Sequence, residues 1–146
     1  MHGAAQAERP TELSPTRSIP WELLISEAMN KLIVVDKSLA GEVSEVAPDR
    51  LLAGKPITRV SNYFSDSTQQ FHAGRWSASR GKWRVSYTEN ELCVMTSGKV
   101  VIESASGERN TFATGDVFVV PAGFAGTWEV LEDCSKIYAI FEASSH

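Results

Sequence analysis

The sequence predicts an all-β fold in which short antiparallel strands close into a barrel or pack as a sandwich. From residue 57 onward, apolar or alternating runs of strand length recur at a spacing of roughly ten residues. Clusters of Gly, Ser, Asn and Asp separate these runs, and no helical pattern lies between them. This combination is typical of closed or sandwiched antiparallel domains.

The first part of the chain has a different character. Residues 1–18 are polar and show no hydrophobic period, which predicts an arm. Residues 19–56 are predicted as a short helix and a lead-in segment, because Pro20 suits a first helical turn and Leu23 begins a short apolar side. A helix this short is not stable alone, so it should dock on its own barrel or on a neighbouring subunit.

The remaining elements follow in order. Residues 33–35 are predicted as a short strand and residues 47–56 as a loop. Residues 57–146 are predicted as the barrel, with strands in KWRVSY, LCVMT, VVIES, DVFVVP, TWEVL and KIYAIFE. The segment ASGER predicts a hairpin turn in which Gly107 supplies the positive φ.

Composition narrows the classes of function. The 146 residues fit one domain, and the formal charge of -4 with scattered Lys and Arg argues against a nucleic-acid partner. No apolar run is long enough to span a membrane, and the N-terminus lacks a secretory signal. Cys93 and Cys134 form no disulfide framework. We therefore expect a cytoplasmic, reduced protein.

Two spaced motifs carry a family resemblance. The first is a glutamate followed, after six residues, by a glycine, here Glu91 and Gly98. The second is GDVFVVPAGFAG, residues 115–126, which has the order Gly, five residues, Pro, one residue, Gly and two residues, with Gly126 where a histidine is usual. With the sixteen-residue gap between them, these motifs resemble those of the cupins.

The resemblance covers residues 57–142 and is most similar to one subgroup. GRW, GKWRVSYTENELCVMTSG, GDVFVVPAGFAGTWEV and KIYAIFE resemble monocupins related to the cupin halves of ureidoglycine aminohydrolase and to the ethanolamine-utilisation cupin. The resemblance implies a double-stranded β-helix, or jelly-roll barrel, carrying the short N-terminal helix and arm. It does not fix the activity, because this fold supports many unrelated chemistries.

The usual cupin ligand set of three imidazoles and one carboxylate corresponds here to Val85, Tyr87, Glu91 and Gly126. Valine and glycine donate nothing to a metal, and neutral tyrosine is a poor ligand. Cys93 is the one further donor near Glu91. We therefore predict no bound metal and no cofactor, with a metal enzyme of atypical ligands as an alternative.

Alternation of side chains in and out of a barrel gives a candidate site. If Glu91 faces inward, apolar neighbours favour its protonated form and make it a general acid or base, with Tyr87 as its partner. The alternatives are a hydrogen-bonded structural carboxylate and a core tyrosine. The predicted ligand-lining residues are Trp76, Trp83, Val85, Cys93, Phe124, Trp128, Lys136 and Tyr138.

The positions of three further side chains, those of Lys136, Cys134 and His72, are predicted less specifically. The last strand can present either Lys136 with Tyr138, or Ile137 with Ala139, to the interior, so Lys136 either holds an anion or is a surface lysine. Cys134 is predicted to be an exposed thiol. His72 is predicted to be an exposed loop residue, with the mouth of a pocket as its alternative position.

The predicted function is binding, and possible acid/base conversion, of a small polar or anionic metabolite by a homodimer. One alternative is a ligand-binding or regulatory module without chemistry.

Overall fold

The structure, a computed structural model, describes residues 31–144 and contains nine strands and no helix within them. The strands are β1 (Glu42–Glu45), β2 (Leu51–Gly54), β3 (Ile57–Ser65), β4 (Phe71–Ala78), β5 (Gly81–Ser86), β6 (Asn90–Ser104), β7 (Arg109–Ala113), β8 (Val117–Val120) and β9 (Ala125–Phe141). The all-β prediction is confirmed. No helix in residues 31–144 could cross a membrane.

All strand pairs are antiparallel, and strand β9 is the centre of the sheet. The order β1-β3-β4-β9-β5-β2 forms one path, while β6 pairs with β7, β8 and β9. The first part of β9 pairs with β5 through Val85↔Gly126, and the last part pairs with β4 through Gly74↔Tyr138. Strand β6 pairs with β9 over both parts. The two long strands β6 and β9 therefore join both halves of the fold.

Period-two burial separates an interior face from an outer face. Strand β4 alternates strictly between buried and partly exposed residues, and the second half of β9 does the same. The interior is dominated by aromatic rings. Trp76, Trp83, Trp128, Tyr87 and Tyr138 are all essentially inaccessible. This is the alternation expected when a strand lines a closed core.

The register of the last strand is resolved by the same alternation. Lys136, Tyr138 and Ile140 are buried, whereas Phe141 is exposed. Of the two alternatives left by the sequence, the one with Lys136 inside is correct. The predicted turn at Gly107 is confirmed by its φ of 93° and by the bond from Gly107 N to the Ser104 carbonyl at 2.9 Å.

Two predictions before residue 57 are wrong, and one lies outside the described residues. Residues 33–35 form no strand. Residues 51–54, predicted as loop, form β2, because Gly54 pairs with Gly81 at the sheet edge. The predicted helix after Pro20 begins in residues that the structure does not describe. Strand β1 was not predicted, and both β1 and β2 fall in the segment 19–56 assigned to the helix and lead-in.

Candidate functional site

The interior brings together charged and polar side chains from β6, from β9 and from the residue that follows β5. Glu91 and Cys93 lie on β6, Lys136 and Tyr138 on β9, and Tyr87 directly after β5. Register places Cys93 opposite Tyr138. Each of these five side chains is at most 2% exposed. The two predicted catalytic residues and three of the predicted ligand-lining residues therefore share one buried cluster.

Lys136 is the centre of this cluster. Its Nζ lies 2.8 Å from Glu91 Oε2 and 3.5 Å from Cys93 Sγ. The same nitrogen lies 4.8 Å from the ring centroid of Trp76 and 4.4 Å from that of Trp128. Removing an ammonium from water is unfavourable. The contacts of the ammonium with the Glu91 carboxylate and with the faces of two indole rings offset part of that cost. The surface-lysine alternative for Lys136 is wrong.

Burial and charge together fix the protonation states near neutral pH. Burial alone would lower the pKa of Lys136, but the charge of Glu91 and its hydrogen bond raise the pKa above its ordinary value. Burial raises the pKa of Cys93 well above that of a free thiol. Burial, followed by the Glu91 charge, raises the pKa of Tyr87 and of Tyr138. Lys136 is therefore a cation, Cys93 a neutral thiol, and both tyrosines are hydroxyl donors.

Several polar atoms in the cluster make no hydrogen bond of ordinary geometry to residues 31–144. They are the Tyr87 hydroxyl, Glu91 Oε1 and Trp128 Nε1. The Tyr138 hydroxyl differs, because it donates to Asn62 Oδ1 at 2.8 Å. Buried polar atoms are nearly always partnered by protein, water or ligand. The Tyr87 hydroxyl and the Glu91 carboxylate are close enough to interact with each other, whereas the Trp128 N–H has no acceptor among residues 31–144.

The remaining predicted lining residues form the walls. Trp76 contacts Trp128 edge-on at 5.5 Å between ring centroids, and Trp83 lies 6.2 Å from Trp76. Val85 is buried beside them. Phe124 is only partly buried and packs edge-on against Tyr87 at 6.2 Å. Phe124 therefore covers Tyr87 from the side of the loop that precedes β9.

The residues present do not fit a divalent metal. No group of three or more His, Cys, Asp or Glu side chains in residues 31–144 is arranged to hold one. A side chain at Gly126 has no room, because its Cβ would collide with the Glu103 carbonyl. The one carboxylate at a ligand position, Glu91, already faces the Lys136 ammonium. The carboxylate that a metal would need is therefore already paired with the ammonium of Lys136.

Two predicted exposures are wrong. Cys134 is 4% exposed, because the backbone of Gly98 closes over it. His72 lies on β4 rather than in a loop, and its Nδ1 is 2.6 Å from Ser65 Oγ. The signal for His72 was present in the sequence, since it shares the parity of Trp76 on the same strand.

Asn62 was missed as a member of the site, and no pattern in the sequence singled it out. It belongs to the site because its Oδ1 accepts a hydrogen bond from the Tyr138 hydroxyl. Gly74 leaves space for that hydroxyl, since a Cβ on Gly74 would collide with it.

The strand order, the inward face and the two spaced motifs define a jelly-roll barrel of the cupin class. Residues 66–138, half of the chain, match the model of the EutQ-like cupin domain. The chain belongs to this family. No match was found among curated proteins.

Solved structures show the same fold. A DUF861-family protein of unknown function from Pseudomonas syringae is 24% identical with a TM-score of 0.66, covering 73% of this chain and 46% of that one. The Clostridium difficile EutQ protein is 14% identical with a TM-score of 0.54, covering 61% and 65%. A putative ethanolamine utilization protein Q from Salmonella typhimurium is 12% identical with a TM-score of 0.54, covering 73% and 99%.

This chain thus spans less than half of the Pseudomonas protein and about two thirds of the Clostridium protein. At these identities the likeness concerns the fold alone.

Proposed function

We propose that this cupin binds a small polar or anionic metabolite inside the barrel without a metal, using Lys136 as the resident cation. The observation that carries the proposal is the set of unpartnered polar atoms beside the Lys136–Glu91 pair. Small-molecule sites are mostly apolar with a few convergent polar groups, which describes this interior. The cytoplasmic location of the protein and the absence of a nucleic-acid partner stay predictions from composition.

The arrangement favours a ligand that carries a carboxylate or carbonyl next to a hydrogen-bond donor. The Lys136 ammonium, the Tyr87 hydroxyl and the Trp128 N–H can donate to oxygens, while Glu91 Oε1 can accept. If the ligand is converted, Glu91 is the group suited to remove a proton, and Lys136 is suited to stabilise the resulting anion. Tyr87, protonated near neutral pH, is suited to return a proton.

A binding module without chemistry is the second candidate. It is favoured by the closed interior, in which Glu91 and Lys136 neutralise each other and are at most 1% exposed. A ligand would have to pass Phe124, the partly exposed ring next to Tyr87. A site of this kind suits slow, selective binding as well as it suits turnover.

The binding test uses the Trp128 indole N–H resonance, assigned by comparison with Trp128→Phe. Acetate, glycolate and glycine are titrated at constant ionic strength. We expect saturable shifts with at least one probe in the native chain and in Lys99→Met, an exposed-lysine control. Tyr87→Phe, which removes one hydroxyl, should weaken binding about tenfold, the loss of roughly one hydrogen bond. No saturable shift with any probe contradicts the proposed site.

Glu91→Gln separates the two candidates. In an acid/base enzyme the variant keeps ligand binding and loses turnover. In a binding module the variant changes affinity without a turnover to lose. If binding and any turnover are both unchanged while stability falls by a few kcal/mol, Glu91 is a structural group and the enzyme proposal is dropped.

A further inference from the structure

A second concave site lies on the outer face of the sheet, away from the barrel interior. The strap, residues 36–41, is held against β3 by hydrogen bonds from Arg59, Ser61 and Tyr63. Leu39 N donates to the Tyr63 hydroxyl at 2.9 Å, Ser61 Oγ donates to the Leu39 carbonyl at 3.2 Å, and Arg59 donates to the Ala40 carbonyl at 2.7 Å. Between the strap and the sheet lies a groove of about 240 Å³. Its lining residues are Lys37, Leu39, Ala40, Arg59, Ser61, Arg75, Trp76, Ser77 and Ser135.

The charged side chains that line this groove are all positive. Lys37, Arg59 and Arg75 contribute three cations, and none of the described residues that line the groove is acidic. This is unusual on a chain whose formal charge is -4. The one acid of the strap, Asp36, is already bonded to Ser38 and to the Tyr63 hydroxyl. An uncompensated positive cluster in a concavity raises the local concentration of anions.

Arg75 is the residue best placed to hold such an anion. It lies on β4 opposite Ser61 of β3 and Ile137 of β9, at the floor of the groove, and it is partly buried. Within residues 31–144, neither Arg75 nor Lys37 has an ion pair, and Arg59 uses one nitrogen on Ala40. A partly buried guanidinium offers a planar pair of donors that suits carboxylate and phosphate oxygens.

Hydroxyls complete the lining. Ser77 is the β4 neighbour of Arg75 on the same face, and it pairs with Ser135 of β9. Ser135 Oγ is tied to Thr96 and Ser97 at 2.6 Å and 2.7 Å, which fixes its position. Serine hydroxyls donate to the same oxygens that arginine binds. The groove thus presents hydroxyl groups beside the Arg75 guanidinium, with Lys37 and Arg59 as further cations of its lining.

We infer that this groove is a binding site for a small dianion, a phosphate group or a dicarboxylate. The volume accommodates one such group with a short carbon chain, and three cations exceed what a single negative charge requires. The inference is independent of the interior site, because Arg75 and Lys136 lie on opposite faces of the sheet.

The test titrates the chain with inorganic phosphate and, separately, with malonate at constant ionic strength, following the amide resonances of Ser77 and Ser135. We expect saturable binding of at least one dianion, and the stronger of the two arms identifies the class. Arg75→Gln should weaken binding at least tenfold. Arg84→Gln, an exposed arginine on β5, is the matched control and should bind as the native chain does.

Salt provides a second readout. Binding to exposed cations should weaken as sodium chloride is raised from 50 to 500 mM, because the ions screen the attraction. Non-saturable shifts, or equal weakening by Arg75→Gln and Arg84→Gln, would show general screening and overturn the proposal. Failure of the interior site would leave this inference standing, because Arg75 lies on the opposite face of β4 from the interior.

Discussion

At the scale of single residues, the main energetic question is a charge pair sealed from water. Glu91 and Lys136 are 0% and 1% exposed, so each charge depends on the other. Such a pair adds little net stability compared with an apolar pair of equal volume. Removing one partner is a different matter, because the remaining charge is buried without compensation.

This asymmetry gives a stability prediction. Lys136→Met and Glu91→Gln should each lower the free energy of unfolding, Lys136→Met by about 3–5 kcal/mol because it strands the carboxylate. The double variant should lose clearly less than the sum of the two single losses. Urea unfolding of all four proteins measures this. Additive losses would mean that the two charges do not interact as the 2.8 Å contact requires.

Cys134 gives a prediction about alkaline pH. Burial raises the pKa of its thiol to about 11 from an ordinary 9.0, against the opposing Lys136 charge. Because the folded state holds this proton more tightly, its contribution to stability is complete below pH 9 and is lost as pH rises through 11. The loss across that window is about 3 kcal/mol. Urea unfolding at pH 8 and pH 11 should show a smaller loss for Cys134→Ala than for the native chain.

Equal losses in the two proteins would show that Cys134 ionises as freely in the folded chain as in the unfolded one. Thiol labelling provides the control. At pH 8, an aromatic disulfide reagent should react with neither Cys93 nor Cys134 until urea unfolds the chain, since both are buried.

Residue positions inside the barrel were predictable where strand parity was unambiguous. Glu91 and Cys93 follow from alternation along one strand, and Trp128 follows from the second motif. Lys136 was ambiguous because both faces of KIYAIFE carry apolar residues, so hydrophobicity alone could not choose. Cys134 was missed because its burial depends on the close approach of Gly98, which is a tertiary contact.

At the scale of elements, Gly126 explains why β9 has no room for a metal-binding side chain at this position. It pairs with Ser104 of β6 on one side and with Val85 of β5 on the other. A Cβ there would collide with the carbonyl of Glu103. The absence of a histidine at this position is therefore built into the spacing of three strands, and one substitution would not reverse it.

Gly126→Ala should lower the free energy of unfolding by about 1–3 kcal/mol, the usual effect of forcing atoms into a packed site. Gly126→His should destabilise the chain further and should bind no Zn²⁺ in calorimetry. Ala125→Ser, at an exposed neighbouring position, is the control and should leave stability unchanged. A stable Gly126→His variant that binds one equivalent of zinc would contradict this account.

The two short early strands show the limit of pattern reading for elements. EVSE in β1 and LLAG in β2 are four residues each, and neither has a full period of alternation. Their strand state comes from pairing with β3 and β5, not from local propensity. The strands predicted from alternation lie within β5, β6, β8 and β9, whereas β3, β4 and β7 were not predicted, although β3 and β4 are nine and eight residues long.

At the scale of the whole molecule, an apolar row crosses the outer face of the sheet. Register aligns Val119, Leu92, Ala139, Ala73 and Phe64 across β8, β6, β9, β4 and β3. Val119 is 60% and Leu92 42% exposed. Two small alanines at the centre keep the row flat, so a second copy could cover it with the same row.

We therefore expect a homodimer of twice the 16.0 kDa chain mass at micromolar concentration, measured by light scattering. Leu92→Lys places a charge in the row and should shift the chain to a monomer. Val43→Lys, at an exposed apolar residue of β1, should remain dimeric. A monomeric native chain, or equal dissociation by both variants, contradicts this prediction.

The jelly-roll class itself was predictable, because motif spacing and strand alternation agree at every level. The chemistry of the interior was less predictable, because it depends on Lys136, whose orientation no local pattern determines.

The central position of β9 also bears on how the chain is made in the cell. Synthesis proceeds from the N-terminus, so β4, β5 and β6 emerge before the strand that pairs with all three. A ribosome that stalls before residue 125 leaves their backbone edges open, and open edges recruit other chains. Nascent chains of this protein should therefore need chaperone protection until the last strand has emerged.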